Sequence, residues 1–300
     1  MSCVAAVSPL TLDLLYSGLP RIPNLGEEVY AGSFDMQIGG GPTATIITLD
    51  RLGVPVRYGT FLSDDRISML AGALLEQHGI AYDNIYKGKE SPVVVTSIAS
   101  FPEDRYFLTY DPRINAVDCS DEEIYRALKG AKICIGVKGH DRVMKRLREE
   151  GTRVVFDVGW EDDLCIDSLK EMLQGVDVFT PNEKEALKMT GCSKVQDALD
   201  IISEYAAYTV ITMGKEGCLA KYRGRTEYMP PIKGIQPVDT TGAGDNFLAG
   251  LIYGMYHDWS FSESLKMASA VGAYSTTELG CCKAAVNVEK ALELIEQTYG

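Results

Sequence analysis

The chain has 300 residues, 46% of them hydrophobic, and a formal net charge of −13 from 29 Lys and Arg against 42 Asp and Glu. That length and apolar content support one large core. The acidity excludes nucleic acid and anionic membrane as partners, and no Lys/Arg block offsets it.

In chain order, "VAAVS" (4–8) is the first strand. No positive n-region precedes it and Asp13 follows soon after, so a signal peptide is not expected and a cytoplasmic location is. Residues 14–40 contain strand-like pieces and turns but no helical pattern. "PTATIITLDRLG" then has Pro42 early and Gly53 at its end, the asymmetry of helix termini. A strand at 56–62 precedes "DRISMLAGALLEQHG", which closes on Gly79. Residues 84–112 form consecutive β segments with "PED" as a hairpin turn. "SDEEIYRALKG" opens on a capping box of Ser120 and Glu123. Strands follow at 132–137, 153–159, 176–181 and 208–214, and "DNFLAGLIYGMYHD" (245–258) is helical. "VVVTSIA" and "VVFDVG" are strand-sized, far too short to span a bilayer.

Alternating strands and helices predict an α/β fold of three layers, a mostly parallel doubly wound sheet covered on both faces. Two regions, about 14–38 and 84–112, break the alternation and are expected to make a small lid of antiparallel strands. With no linker-like tract and no internal repeat, residues 1–300 are read as one domain. The eight cysteines contain no C-x-x-C pair, and most lie in apolar stretches, as reduced core thiols do. His78, His140 and His257 are scattered, so no structural zinc site is expected. No G-x-S-x-G elbow supports Ser-His-Asp chemistry.

The most informative stretch is "PVDTTGAGDNFLAG" (237–250). Gly242, Ala243 and Gly244 allow close approach of a ligand to backbone, and a helix follows at once. A helix start carries unpaired N–H donors and the positive end of the macrodipole, so it suits a phosphate. Taken alone, the same residues also describe a tight turn into a helix with Asp245 as an ordinary first-turn acid. A dinucleotide fingerprint fails because Phe247 stands where the third glycine belongs, and no G-x-x-x-x-G-K-[ST] loop occurs. Asn182 and Glu185 in "TPNEKEA" have capping-box spacing. "GKEG" (214–217) is an ordinary hairpin turn.

"DTTGAGDNFLAG" resembles the C-terminal signature of ribokinase-like carbohydrate kinases of the phosphofructokinase B type. "GG" at 39–40 before "LDRLG", the N-x-x-E of 182–185, "VITMGKEGCLA" and "AVGAYSTTELGCCKAA" match in order, so the resemblance covers essentially the whole chain. It implies ATP- and Mg²⁺-dependent phosphorylation of a hydroxyl on a sugar or sugar derivative; a nucleoside kinase of the same fold is the alternative. It makes Asp245 the catalytic base and Gly242, Ala243 and Gly244 the anion hole for the transferring phosphoryl group. A helix N-terminus would hold the pKa of Asp245 down, but in a loose transition state positioning outweighs basicity. Asn182 and Glu185 would hold Mg²⁺ largely through water, and Thr212, Gly214, Lys215 and Gly217 would border ATP. Asp239, Thr241, Ser275 and Gly280 match a segment that in some relatives binds a monovalent cation, and K⁺ is left open. Asp13, Gly39, Gly40, Gly41 and Arg105 fall on the acceptor side. Ala44 stands where many relatives have a sugar-binding Asn, and Gly41 where ribokinases tend to have Lys, which argues against ribose. Arg21, Arg105, Arg113 and Lys138 are candidates for an anionic acceptor. Exposed lid edges predict a homodimer through the lid.

Overall fold

The computed structural model describes residues 2–101, 105–114 and 118–300. Strand β1 (Val4–Val7) leads to β2 (Thr11–Ser17), β3 (Ser33–Gly39), helix α1 (Gly41–Arg51), β4 (Val56–Thr60), α2 (Arg66–Gln77) and β5 (Tyr82–Asn84). Next come β6 (Val94–Ser100), β7 (Arg105–Tyr110), α3 (Asp121–Leu128), β8 (Ile133–Ile135), α4 (Asp141–Glu149), β9 (Arg153–Phe156) and α5 (Ile166–Gln174). The remainder is β10 (Val178–Phe179), α6 (Glu183–Thr190), α7 (Val195–Ile202), β11 (Tyr208–Thr212), β12 (Cys218–Tyr222), β13 (Arg225–Met229), α8 (Ala243–Tyr256), α9 (Phe261–Ser275) and α10 (Val288–Tyr299).

The main sheet runs β13-β12-β11-β10-β9-β8-β1-β4-β5 and is parallel from β5 to β11, with an antiparallel edge at β12 and β13. Period-2 alternation in β1 shows how it becomes a middle layer. Val4 and Ala6 pack with the helices that include α1, α8 and α9, whereas Ala5 and Val7 pack with those from α3 to α7. This is the three-layer, doubly wound arrangement predicted. Ser120 and Glu123 do form the expected capping box of α3. Helix α8 begins two residues before the expected 245, so Ala243 and Gly244 belong to its first turn. Of the cysteines, Cys134, Cys218, Cys281 and Cys282 are buried and Cys165 is exposed; all eight are free thiols. Among the described residues no helix is long and apolar enough to cross a membrane.

A separate four-stranded sheet, ordered β3-β2-β6-β7, forms the lid. Its strands are not all antiparallel as expected: β2 and β6 run parallel, Thr11 opposite Val94. They come from different insertions, so no hairpin obliges them to reverse. The expected "PED" turn lies outside the described residues. The register sorts the lid into two faces. Asp13 lies beside Gln37 and Thr96, and Ile98 beside Phe107, on the inner face; Leu14, Met36 and Leu108 share the outer one.

Helices α8 and α9 approach closely because α8 is bare where they meet. A Cβ on Gly250 would lie 2.7 Å from the Ala268 Cα, and one on Gly254 would lie 2.4 Å from the Ser264 Oγ. Backbone cannot yield as a side chain can, so Gly250→Ala is expected to lower stability by about 1–3 kcal/mol, measured by chemical denaturation. A wild-type midpoint in that variant would contradict this packing.

Candidate functional site

Two cavities open where the parallel strands end, the usual ligand position in such sheets. One, of about 570 Å³, lies under the lid and is lined by Asp13, Gly40, Gly41, Thr96, Ile98, Phe107, Thr109, Trp160, Thr241, Gly242, Asp245 and Cys281. The other, of about 350 Å³, includes Thr212, Gly214, Lys215, Gly217, Ala243 and Gly244 with apolar walls from Ile232, Ile235 and Phe247. The first turn of α8 touches both. A third cavity, of about 470 Å³, lies beside Arg153, Tyr208 and Trp259 at the opposite strand ends, away from every expected site residue.

Bare backbone makes room for two carboxylates. A Cβ on Gly39 would stand 2.1 Å from the Asp13 Oδ2, and one on Gly41 would stand 2.5 Å from the Asp245 Oδ1. Between them Gly40 turns the chain with φ 100° and caps α1, a conformation costly for any residue with a Cβ. The chain thus passes from lid strand to core helix through three residues without side chains. Asp13 follows the first strand, as expected, and lies within β2; burial with the nearby charge of Asp239 pushes its pKa up to about 7. Asp245 is raised to about 6 by burial and by Glu185. The helix end was expected to hold that acid down; desolvation outweighs the dipole.

Gly242 caps α8 in the left-handed region, φ 73°. Its turn is fixed by Asn246, whose Nδ2 donates to the carbonyls of Gly242 (2.8 Å) and Cys281 (2.9 Å) while its Oδ1 accepts from Thr48 (2.6 Å). Thr45 donates to the carbonyls of Gly41 (3.1 Å) and Asp245 (3.0 Å), tying α1 to α8. Sequence reasoning missed these holders. The positions of Thr45 and Thr48 on one face of α1 were the available signal. The Ala243 N–H turns back to the Thr240 carbonyl at 3.3 Å, which leaves less of it for a ligand than the bare sequence implies.

Asn182 and Glu185 form a reciprocal capping box at α6: Asn182 Oδ1 accepts from the Glu185 N–H (3.0 Å), and Glu185 Oε2 from the Asn182 N–H (2.9 Å). Glu185 is buried and its pKa is raised by that burial. Asp157, which the sequence did not single out, is raised well above its usual value by burial and by the charges of Asp245 and Glu185. Asp157 directly follows β9, Glu185 sits in the first turn of α6 and Asp245 in the first turn of α8. Thr212 ends β11 beside Asn182, and a single 3-10 turn, Gly214–Glu216, follows.

Asp239 is buried, and its carboxylate accepts from the Thr241 N–H (2.9 Å), the Thr241 hydroxyl (2.8 Å) and the Gly280 N–H (2.8 Å). Arg105, expected toward the acceptor, extends its guanidinium to Asp239 and Thr241 and to Thr240 (2.8 Å); a buried carboxylate draws in the cation beside it. The Ser275 hydroxyl donates to the Gly272 carbonyl (2.8 Å). Arg21 pairs with Glu27 and Lys138 with Glu161, and neither lines the cavity under the lid. Ala44 is wholly enclosed in the core.

A family model described as "pfkB family carbohydrate kinase" matches residues 10–287. The chain is 24% identical to a ribokinase of Haemophilus influenzae over 302 residues, covering 93% of this chain and 94% of that one. Its fold superposes on a ribokinase of Thermotoga maritima with a TM-score of 0.81 at 20% identity, over 99% of this chain and 100% of that one. A nucleoside kinase of Burkholderia thailandensis in complex with inosine gives 0.80 at 18% identity, over 99% of this chain and 98% of that one.

The Asp13 pKa stands near 7 in the folded chain against an ordinary 3.8. Between those values the native state binds more protons, so this group stabilises the fold below pH 4 and loses that contribution as pH rises through 7. Asp13→Asn is therefore expected to raise stability by about 0.5–2 kcal/mol at pH 8 and by less at pH 5. Thermal melts of the two proteins across pH measure it; an equal effect at both pH values would contradict the buried charge.

Proposed function

The chain belongs to the pfkB family of carbohydrate kinases, and on that premise we propose that it transfers the γ-phosphoryl group of ATP to a hydroxyl of a neutral, sugar-like acceptor held beneath the lid. It is a phosphotransferase with an alcohol group as acceptor. The observation that carries the finer reading is the first turn of α8, where Ala243 and Gly244 line one cavity and Gly242 and Asp245 line the other. Phosphate donor and hydroxyl acceptor would meet across a single helical turn. ATP would lie along Thr212, Gly214, Lys215 and Gly217, with its base against Ile232, Ile235 and Phe247.

Asp245 would accept the proton of the attacking hydroxyl. Raised to about 6, it is ionised at neutral pH and more basic than a surface aspartate. The N–H groups of Gly242, Ala243 and Gly244 would receive charge on the transferring group, where prearranged donors matter most. Asp13, with the backbone of Gly39, Gly40 and Gly41, would orient the acceptor through its other hydroxyls. The described lining of that cavity holds two carboxylates and no Lys or Arg, which favours a neutral acceptor over a phosphorylated or carboxylated one.

Magnesium fits the acids present. Asp157, Glu185 and Asp245 are all raised by burial, and mutual repulsion adds to the shift in Asp157 and Asp245, a charge distribution that a divalent cation relieves. Asn182 and Glu185 would hold the ion largely through water beside the phosphates. Bound there, it would withdraw charge from the phosphate oxygens.

A nucleoside acceptor is the second reading. Ile98, Phe107 and Trp160 give the cavity a flat apolar wall that suits a base, or the apolar face of a pyranose, equally.

The outer lid face bears Phe34, Met36, Tyr106, Leu108 and Tyr110, all exposed. So large an apolar face favours a homodimer formed lid to lid. Leu108→Glu should then give a monomer in sedimentation, whereas a monomeric wild type would refute it.

ADP release over a panel of neutral sugars and nucleosides tests the main reading; no turnover with any of them would sink it. Asp245→Asn is expected to lower kcat about 10²–10⁴-fold. In the wild type kcat/KM should fall as pH drops below about 6, where Asp245 takes up its proton. A flat profile, or undiminished turnover in the variant, would remove Asp245 as the base.

A further inference from the structure

The charge of Asp239 has an unexpected partner. The family resemblance left open a monovalent cation near Asp239, Thr241, Ser275 and Gly280, and in the structure a guanidinium from the lid already holds that carboxylate. Asp239 Oδ1 receives the Thr241 N–H, the Thr241 hydroxyl and the Arg105 guanidinium, while Oδ2 receives the Gly280 N–H. A cation at that carboxylate would meet a guanidinium already in contact with it. The Thr241 and Ser275 hydroxyls donate to protein oxygens.

Arg105 is far from this turn in sequence. It opens lid strand β7, where alternation sets it on the same face as Phe107 and Thr109, which line the cavity beneath the lid. Its guanidinium touches Asp239, Thr240 and Thr241 in succession. The next residue is Gly242, the cap of α8. The opposite lid edge has its own tie, as Gln37 of β3 donates to the Leu279 carbonyl at 3.1 Å, next to Gly280. The lid is thus fastened to both loops that Asp239 joins.

We propose that Arg105 is a positioning residue that latches the lid onto the 239–241 turn. Its guanidinium supplies from within the chain the positive charge that a monovalent cation would otherwise bring to Asp239, so that turnover needs no added potassium. The catalytic part rests on the kinase reading above; the latch does not. When the lid lifts, Asp239 loses its counter-charge and the turn that presents Gly242 loses three contacts. When acceptor draws Phe107 and Thr109 down, Arg105 arrives with them. Lid closure and assembly of the anion-binding turn become one event.

The test uses Arg105→Ala, Arg105→Gln and Arg105→Lys, assayed with tetramethylammonium, potassium or guanidinium as the monovalent cation. Wild-type rates should be the same with potassium as with tetramethylammonium. Arg105→Ala and Arg105→Gln should lose about 10- to 100-fold in kcat with little change in KM for ATP, since a misplaced turn affects the transition state more than binding. Guanidinium or potassium should restore part of that loss, and Arg105→Lys should retain most of the activity. Hydrogen exchange of the proteins without substrates should quicken in β7 and in residues 239–242 of the Ala and Gln variants and stay unchanged in the main sheet. Strong potassium activation of the wild type, full kcat in Arg105→Gln, or unchanged exchange in those two segments would each overturn the proposal. If the wild type phosphorylates nothing, the kinase reading fails by itself and the exchange comparison still decides the latch.

Discussion

Two helix starts meet at one carboxylate, and the site is organised around that meeting. Asp245 projects from the first turn of α8 into space that Gly41, at the first turn of α1, leaves empty. Thr45 fastens the same two backbones together. Because α1 continues directly from lid strand β3 and α8 from the Asp239 turn, this contact links the base of the lid to the turn at Gly242. Room for an acid between two helices exists only if one of them is bare there, which is why α1 opens on Gly41, the last of three consecutive glycines. Burying Asp13 and Asp245 together raises both acids, and the fold carries that unfavourable term in exchange for groups poised near neutrality.

Much of this was legible in local pattern. Alternating apolar runs and helix periods gave the layers, because each element must bury one face and says so in its own sequence. "GGGPTAT" and "TTGAGD" marked the bare turns, since glycine is needed wherever backbone meets a ligand or an acid. Asn182 and Glu185 had the spacing of a capping box and form one; the same spacing carries the proposed magnesium role, so local pattern could not separate the two.

What stayed hidden depends on partners distant in the chain. Asn246 read as the second residue of a helix, yet it pins Gly242, Cys281 and Thr48 together. Asp157 read as part of an ordinary strand, whereas the fold brings the charges of Asp245 and Glu185 near it. The direction of the Arg105 side chain follows from a buried carboxylate in a loop that no short window contains. The pKa of Asp245 went against expectation for a similar reason: a helix end is visible in sequence, whereas enclosure is a property of the assembled site.

The parallel pairing of β2 with β6 also bears on how the molecule comes together. Thr11 finds Val94 only after α1, β4, α2 and β5 have been threaded between them. Closing so long a loop is entropically unfavourable until the intervening segment is compact. Pairing of the two lid halves is therefore expected to follow formation of the core segments between them. A nascent chain that has not yet emitted Val94 has the glycine turn, the start of the core and only the β2–β3 half of the lid. Order of assembly thus follows order of burial, with the part that admits substrate completed after the part that supports it.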